Sequence, residues 1–171
     1  LNGRILVGEG ASQMKYQLKK GKNIWYSFKM ELGEDLGAKY YDSELREVDP
    51  FRIKNPVDAA RVFFAYLKYL IIKYCTENNI STDILYAVSI PASFEANQRK
   101  DLLDALMAND MKVSKQALID EPNAAFISYA VSRAAEDRPM FISPDYNSKV
   151  LVFDFGGGTC DISILEIGQS A

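Results

Sequence analysis

The residues best suited to chemistry lie near the C-terminal end of the sequence, where positions 150–165 read VLVFDFGGGTCDISIL. An apolar strand leads into Asp154, and Gly156, Gly157 and Gly158 follow it. Because glycine has no Cβ, this backbone can turn tightly and bring its N–H groups up to an anion. Asp154 and Asp161 supply hard oxygen ligands of the kind that hold Mg²⁺, usually through its waters. The stretch therefore predicts phosphoryl transfer, a chemistry that depends on positioning and charge neutralisation.

Two common phosphate-binding motifs do not fit this stretch. No Gly-Lys-Ser/Thr follows the glycines, so it is not a Walker loop. A strand follows instead of a helix, so it is not a dinucleotide-binding fingerprint. A plain hairpin turn through the three glycines stays open as an alternative, although such a turn requires none of Asp154, Thr159 and Asp161.

The composition is that of an ordinary folded protein and narrows the possible chemistry. The net charge of −3 over 171 residues provides no strong field to attract nucleic acid or anionic lipid. The chain contains no histidine, so hydrolysis would depend on carboxylates, a lysine and a metal ion. Cys75 and Cys160 fit no metal-binding spacing, which favours a reducing, cytoplasmic location. The longest apolar run, 62–74, is too short to span a bilayer.

Helix and strand signals alternate along the chain. The clearest helix begins with Asn55 as its cap and Pro56 at its first position, and its apolar residues follow helical spacing as far as Tyr74. Other helices are predicted over 8–18, over 94–108 with Ser93 as cap, and from 120–122 onward. Strands are predicted at 5–7, 84–90, 113–119 and on both sides of the glycines. This order predicts an α/β fold with parallel strand pairs.

Longer blocks of sequence resemble a known family. YAVSIPASFEANQRKDLLDAL, ALIDEPNAAFISYAV and VLVFDFGGGTCDISIL occur in the order and spacing of the seventy-kilodalton heat-shock chaperones, the DnaK-like proteins. Upstream, ILVGEGA resembles the family's VGEAA turn, and NIWYSFKMELG resembles the segment with its catalytic lysine. The resemblance runs from about Ile5 to Ile167. It implies part of an actin-like, ribonuclease-H-like ATPase lobe, with a mixed sheet and flanking helices.

The resemblance also implies catalytic and metal-binding roles. Lys29 is similar to the lysine that orients the attacking water, and Asp154 to the acidic residue near Mg²⁺ and its waters. Asp161 matches a further acid beside the metal, and Glu121 matches a carboxylate that reaches the metal shell. A carboxylate at a helix N-terminus is favourable in any protein, so a purely structural role for Glu121 stays open.

Phosphate-binding and regulatory roles follow from the same resemblance. Gly157, Gly158 and Thr159 match the family's second phosphate loop, with Thr159 near the γ-phosphate. Pro91 and Arg99 resemble the proline and arginine of its allosteric relay. Pro91 could instead only end a strand, and Arg99 could be a solvated helix charge.

The resemblance implies a division of the chain into lobes. We expect 1–148 to be a first lobe without its first hairpin, and 149–171 to be the phosphate-loop hairpin that begins the second lobe. Because an open strand edge has unpaired backbone groups that can pair with another strand, we expect this hairpin to pack on the first lobe or on a neighbouring molecule. By itself this piece is expected to be inactive and to self-associate through its strand edges.

The expected whole protein is a molecular chaperone that hydrolyses ATP and assists protein folding. It would bind ATP or ADP with Mg²⁺, unfolded client proteins and co-chaperones, but neither nucleic acid nor membrane, and would act in the cytoplasm during stress. Two alternatives remain open. One is a small-molecule phosphotransferase of the actin and sugar-kinase superfamily, and the other is a chaperone-like scaffold that does not hydrolyse nucleotide.

Overall fold

The structure is a computed structural model that describes residues 5–37, 40–136, 148–156 and 160–167. The chain divides into two compact units. The first unit comprises residues 1–86 and 95–113, and the second comprises residues 87–94 and 114–171. The expected lobe boundary at residue 148 stays a prediction. Among the described residues, no helix combines the length and apolar character that a bilayer crossing requires.

The first unit begins with shorter elements than the sequence predicts. Helix α1 spans only Glu9–Ser12, and turns follow it. Residues 5–7 are not a strand, because a strand needs a hydrogen-bonded neighbour and no described segment pairs with them. A 3₁₀ helix then spans Phe28–Glu31, preceded by Ser27 in the left-handed region at φ 58°. This element is called the Lys29 helix below.

Helix α2 spans Pro56–Glu77 and begins as the sequence predicts. The Asn55 side-chain oxygen accepts a hydrogen bond from the Asp58 backbone N–H at 2.8 Å, which satisfies one of the unpaired donors of the first turn. Burial is concentrated in the N-terminal half, whereas Tyr69 and Tyr74 are 59% and 62% exposed. The C-terminal half of α2 is therefore largely exposed, although its apolar residues follow helical spacing as far as Tyr74.

Replacing Asn55 by alanine is expected to lower the free energy of unfolding by about 1 kcal/mol, because the Asp58 N–H loses its acceptor. Urea unfolding of the chain, followed by the fluorescence of Trp25, measures the change. Asn55→Asp is the matched control, because it retains an oxygen at the cap position and should stay within about 0.5 kcal/mol of the unchanged chain. Equal losses in the two variants would contradict the capping role.

Helix α3 spans Ala96–Met107 and packs against α2. Its cap is Glu95, not Ser93 as predicted, and the Glu95 backbone N–H donates to the Gln98 side-chain oxygen at 2.9 Å. Because Glu95 and Gln98 cap the helix reciprocally, the cap lies two residues beyond the predicted one. Asn109, just after α3, donates to the Arg61 carbonyl of α2 at 2.9 Å.

The core of the first unit forms around the start of α2. Tyr41, Ile53, Ala59 and Val62 are buried together, and three half-buried side chains pack on this cluster: Trp25, Phe28 and Leu36. A second set of buried residues lies on α3 and just after it: Ala105, Leu106 and Met111. The irregular segment between the Lys29 helix and α2 thus contributes core residues, although its sequence shows no periodic pattern.

The second unit contains most of a two-stranded sheet and a helix that follows it directly. Strands β1, Tyr86–Ile90, and β2, Val113–Asp120, are neighbours in this sheet. Pro91 ends β1 as predicted, because proline has no N–H to donate to a ladder. Helix α4, Glu121–Ala135, begins immediately after β2 with no intervening loop.

The second unit also contains the predicted hairpin. Strand β3, Ser148–Phe155, pairs antiparallel with β4, Cys160–Ile167, in a sheet of two strands separate from β1 and β2. Both strands contact α4. The opposite face of the hairpin carries large apolar side chains that are 59–78% exposed: Leu151, Phe153, Phe155, Ile162 and Ile164. Self-association through open strand edges stays a prediction.

Candidate functional site

A cavity of about 160 Å³ in the second unit brings together three of the predicted acidic residues. Its lining comes from three places in the chain, namely the residues just after β1, the start of α4 and the end of the β3–β4 hairpin. The predicted site residues among them are Pro91, Glu121, Asp154 and Asp161. Positions separated by more than sixty residues in sequence therefore meet at one cavity, as a functional site requires.

Asp154 and Asp161 face each other across the hairpin. They are direct partners in the β3–β4 register, with Asp154 exposed and Asp161 half-buried. Opposite residues of an antiparallel pair project to the same face, with Cβ atoms roughly 5 Å apart. Two like charges in this arrangement repel each other, so the pair favours a cation or its bound waters nearby.

Glu121 adds a third carboxylate from a different element. It is the first residue of α4, directly after Asp120 at the end of β2, and its side chain is half-buried. The helix dipole and the unpaired N–H groups of the first turn give this end of α4 a partial positive charge. That charge stabilises the carboxylate, and it also makes the region favourable for an anionic ligand.

The donor set fits a magnesium ion held largely through water. Within the described residues, no three acidic, cysteine or histidine side chains come close enough to hold a metal ion directly. Magnesium usually keeps several of its waters and takes one or two carboxylates from the protein. A cavity of about 160 Å³ whose lining includes three carboxylates has room for such waters. The expected ligands Asp154, Asp161 and Glu121 therefore suit the ion chemically.

The predicted phosphate-binding stretch is described only in part. Gly156 is exposed and follows β3 directly. Gly157, Gly158 and Thr159 lie outside the described residues, so their predicted contacts with phosphate stay predictions. Strand β3 ends at Phe155 and strand β4 begins at Cys160, so four residues connect the two strands.

The other predicted residues lie at separate points of the chain. Lys29 is an exposed residue of the Lys29 helix, in the first unit. Arg99 is half-buried on α3, also in the first unit. Pro91 is buried and lines the cavity of the second unit. The catalytic role of Lys29 and the relay role of Pro91 and Arg99 rest on the family resemblance.

The sequence did not identify two polar residues of the cavity. Ser93 is the predicted cap of α3, but it lines the cavity with Pro91 and Ala92. Ser163 also lines the cavity. Strand periodicity places Ser163 on the same face as Asp161, two residues earlier, and this signal was sufficient to find it. No comparable local signal marks Ser93, because its position depends on how the loop after β1 meets the hairpin.

Comparison with known proteins agrees with the resemblance. The family described as Hsp70 protein matches residues 14–171. A chaperone protein DnaK of Nitrosopumilus maritimus (strain SCM1) is 29% identical over 168 residues, which cover 97% of this chain and 22% of that protein. A heat shock cognate HSP70 protein of Trypanosoma brucei brucei is 36% identical over 143 residues, which cover 83% of this chain and 18% of that protein.

A third relative covers slightly more of the chain. The chaperone protein DnaK of Thermotoga petrophila is 31% identical over 171 residues, which cover 98% of this chain and 24% of that protein. The chain thus spans roughly a fifth of the length of the curated relatives it matches. The predicted actin-like α/β fold class is confirmed, because the matched family has that fold and the structure is mixed α/β. With nearly its whole length matched, the chain belongs to the Hsp70 family.

Proposed function

We propose that this chain supplies the metal-binding and γ-phosphate-binding side of an ATPase domain in an Hsp70-type chaperone. One observation carries the proposal: Glu121, Asp154 and Asp161 line one cavity at the N-terminus of α4, and Gly156 follows Asp154 by two residues. Carboxylates and a turn without side chains are the groups that phosphoryl transfer uses to hold Mg²⁺ and phosphate oxygens.

Each residue then has a distinct task in the proposed site. Asp154 and Asp161 orient the waters of the metal from opposite strands, and Glu121 does so from the start of α4. The backbone N–H groups of the glycine turn and the Thr159 hydroxyl bind the terminal phosphate. A bound Mg²⁺ supplies charge neutralisation for the phosphate oxygens. Lys29 orients the attacking water, as its match to the family lysine implies.

The whole protein is proposed to use this site in a chaperone cycle. The relatives from Nitrosopumilus and Thermotoga are named chaperone proteins, and the trypanosome relative is named a heat shock cognate protein. By analogy, the full-length protein would hydrolyse ATP to ADP and phosphate, bind unfolded clients and co-chaperones, and act in the cytoplasm under stress. This part of the proposal rests on family membership, because function is carried by sites and not by a fold.

The test is ATP hydrolysis by the full-length protein with and without a permanently unfolded polypeptide. We expect Mg²⁺-dependent turnover that rises several-fold when the unfolded polypeptide is added, because client and nucleotide sites are coupled in a chaperone. The same polypeptide in its folded form is the control and should have no effect. Transfer of the phosphoryl group to a sugar or polyol would instead identify a phosphotransferase. Nucleotide binding without hydrolysis would identify a scaffold.

A further inference from the structure

We propose that Asn97 and Asp101 of α3 are positioning residues for Lys29, because together they hold the backbone of Gly33 just after the Lys29 helix. This inference rests on the proposed role of Lys29 in ATP hydrolysis. All of the residues involved lie in the first unit. The pair of hydrogen bonds to Gly33 is called the Gly33 clamp below.

The Gly33 clamp uses both polar groups of one peptide residue. The Gly33 N–H donates to Asp101 Oδ2 at 2.8 Å, and Asn97 Nδ2 donates to the Gly33 carbonyl oxygen at 2.9 Å. Asn97 and Asp101 are four residues apart on α3, so they project from the same helix face. Because the Asp101 bond has a charged acceptor, it is stronger than a neutral hydrogen bond.

Gly33 is the residue that permits this close approach. Its φ is +82°, in the left-handed region, and an added Cβ would lie 2.7 Å from Gln98 Cγ and 2.9 Å from Asn97 Nδ2. Any other residue would be strained in its backbone and would push against α3. Leu32, immediately before Gly33, is only 2% exposed. The segment that leaves the Lys29 helix is therefore held by a buried side chain and by a clamped peptide.

The Lys29 helix is also held at both of its ends. The Phe28 ring meets the Phe63 ring of α2 edge-to-face, with centroids 5.9 Å apart. At the other end, Glu31 accepts hydrogen bonds from the Tyr41 hydroxyl and the Lys20 ammonium. Burial, and secondarily the bond to Glu31, raises the pKa of Tyr41, so its hydroxyl stays protonated and remains a donor.

These contacts leave Lys29 as an exposed residue on a short helix with fixed ends. Phe28, Glu31 and Leu32 on either side are partly or fully buried, whereas Lys29 and Met30 are exposed. A catalytic lysine with a flexible side chain benefits from a backbone that is held in place, because small displacements of a catalytic group lower the reaction rate strongly. The clamp therefore controls the placement of the Lys29 backbone, and its side chains need not touch the reacting atoms.

The test compares Asp101→Ala and Asn97→Ala in the full-length protein. Single-turnover ATP hydrolysis should slow by about tenfold with either change, while the ATP concentration for half-maximal rate stays within about twofold, because positioning acts on kcat and not on binding. In Asp101→Ala, hydrogen exchange of the peptide containing Gly33 should accelerate by about tenfold, because the Gly33 N–H loses a charge-assisted bond. Asp104→Ala is the matched control, since Asp104 lies on the same helix and its carboxylate pairs with Lys100.

Two further variants separate positioning from a general loss of stability. Asp101→Asn retains an acceptor oxygen and should restore most of the turnover. In a Lys29→Ala background, Asp101→Ala should cause no additional loss, because the clamp acts through Lys29. A purely structural role would lower the rate further in that background.

Several results would overturn the proposal. Unchanged exchange at Gly33 in Asp101→Ala would show that the clamp does not hold the segment. Faster exchange with turnover equal to that of the unchanged protein would show that the clamp does not position Lys29. Wild-type turnover in Lys29→Ala would show that Lys29 has no catalytic role, and Asn97 and Asp101 would then have no catalytic residue to position. These three results are distinguishable from a failure of the proposed function, because in that case the unchanged protein itself would not hydrolyse ATP.

Discussion

Replacing Asp154 by asparagine in the full-length protein is expected to lower ATP turnover by about a hundredfold, the size of effect seen when one preorganised charge-stabilising group is lost. The substitution conserves shape but removes the negative charge that faces Asp161 across the hairpin. With one carboxylate fewer, the site should also require a higher Mg²⁺ concentration for half-maximal activity. Both effects are measured in steady-state hydrolysis with Mg²⁺ as the titrated component.

A double-mutant comparison and a control make this result specific. Asp161→Asn should give a similar loss, and the double variant should lose much less than the product of the two single effects, because the two carboxylates serve one ion. Glu166→Gln is the matched control, since Glu166 lies on the exposed face of the same hairpin, opposite Lys149. Turnover that is unchanged in both aspartate variants would refute the assignment of the metal site.

Gly21→Ala is expected to destabilise the chain by about 3 kcal/mol or more, from backbone strain of about 1 kcal/mol and a steric overlap. The φ of Gly21 is +85°, and an added Cβ would lie 2.0 Å from the Tyr40 carbonyl oxygen. That oxygen belongs to the backbone and cannot rotate away. The overlap would displace the segment that carries Tyr41, a member of the buried cluster at the start of α2.

The Gly8→Ala variant separates the energetic cost of backbone strain from that of steric overlap. Gly8 also has a positive φ, +76°, but an added Cβ would meet nothing within 4 Å. We expect it to cost only about 1 kcal/mol, the strain alone. Urea unfolding followed by Trp25 fluorescence compares the two variants, because Trp25 packs on the buried cluster that includes Tyr41. Equal losses for Gly8→Ala and Gly21→Ala would show that the overlap relaxes at no cost.

Elements whose signals are local were predicted well. The start of α2 was predicted from Asn55 and Pro56, because a cap and a proline at the first position act over a single helical turn. The start of α4 within residues 120–122 follows from Pro122, which lies in its first turn. The end of β1 before Pro91 and the two arms of the hairpin also follow from adjacent residues.

Elements that depend on a distant partner were predicted poorly. Residues 5–7 have strand-forming side chains but form no strand, because strand formation requires a neighbour that the local sequence does not specify. Ser93 has the chemistry of a cap, yet Glu95 takes that position and Ser93 lines the cavity. Local preference alone did not distinguish the two, since both residues precede the same helix by no more than three positions.

The chemical groups of the site follow from the sequence alone, since Asp154, Asp161 and the glycines between them lie in one short stretch. A hairpin through this stretch places the two carboxylates near backbone without side chains. Packing alone brings Glu121, Pro91 and Ser93 to the cavity that Asp154 and Asp161 line. It also places Asn97 and Asp101 against Gly33, more than sixty residues away in sequence. The two groups of features differ in the sequence separation over which their interactions act. Caps, turns and strand register act between near neighbours. A cavity or a clamp exists only after packing has brought remote segments into contact.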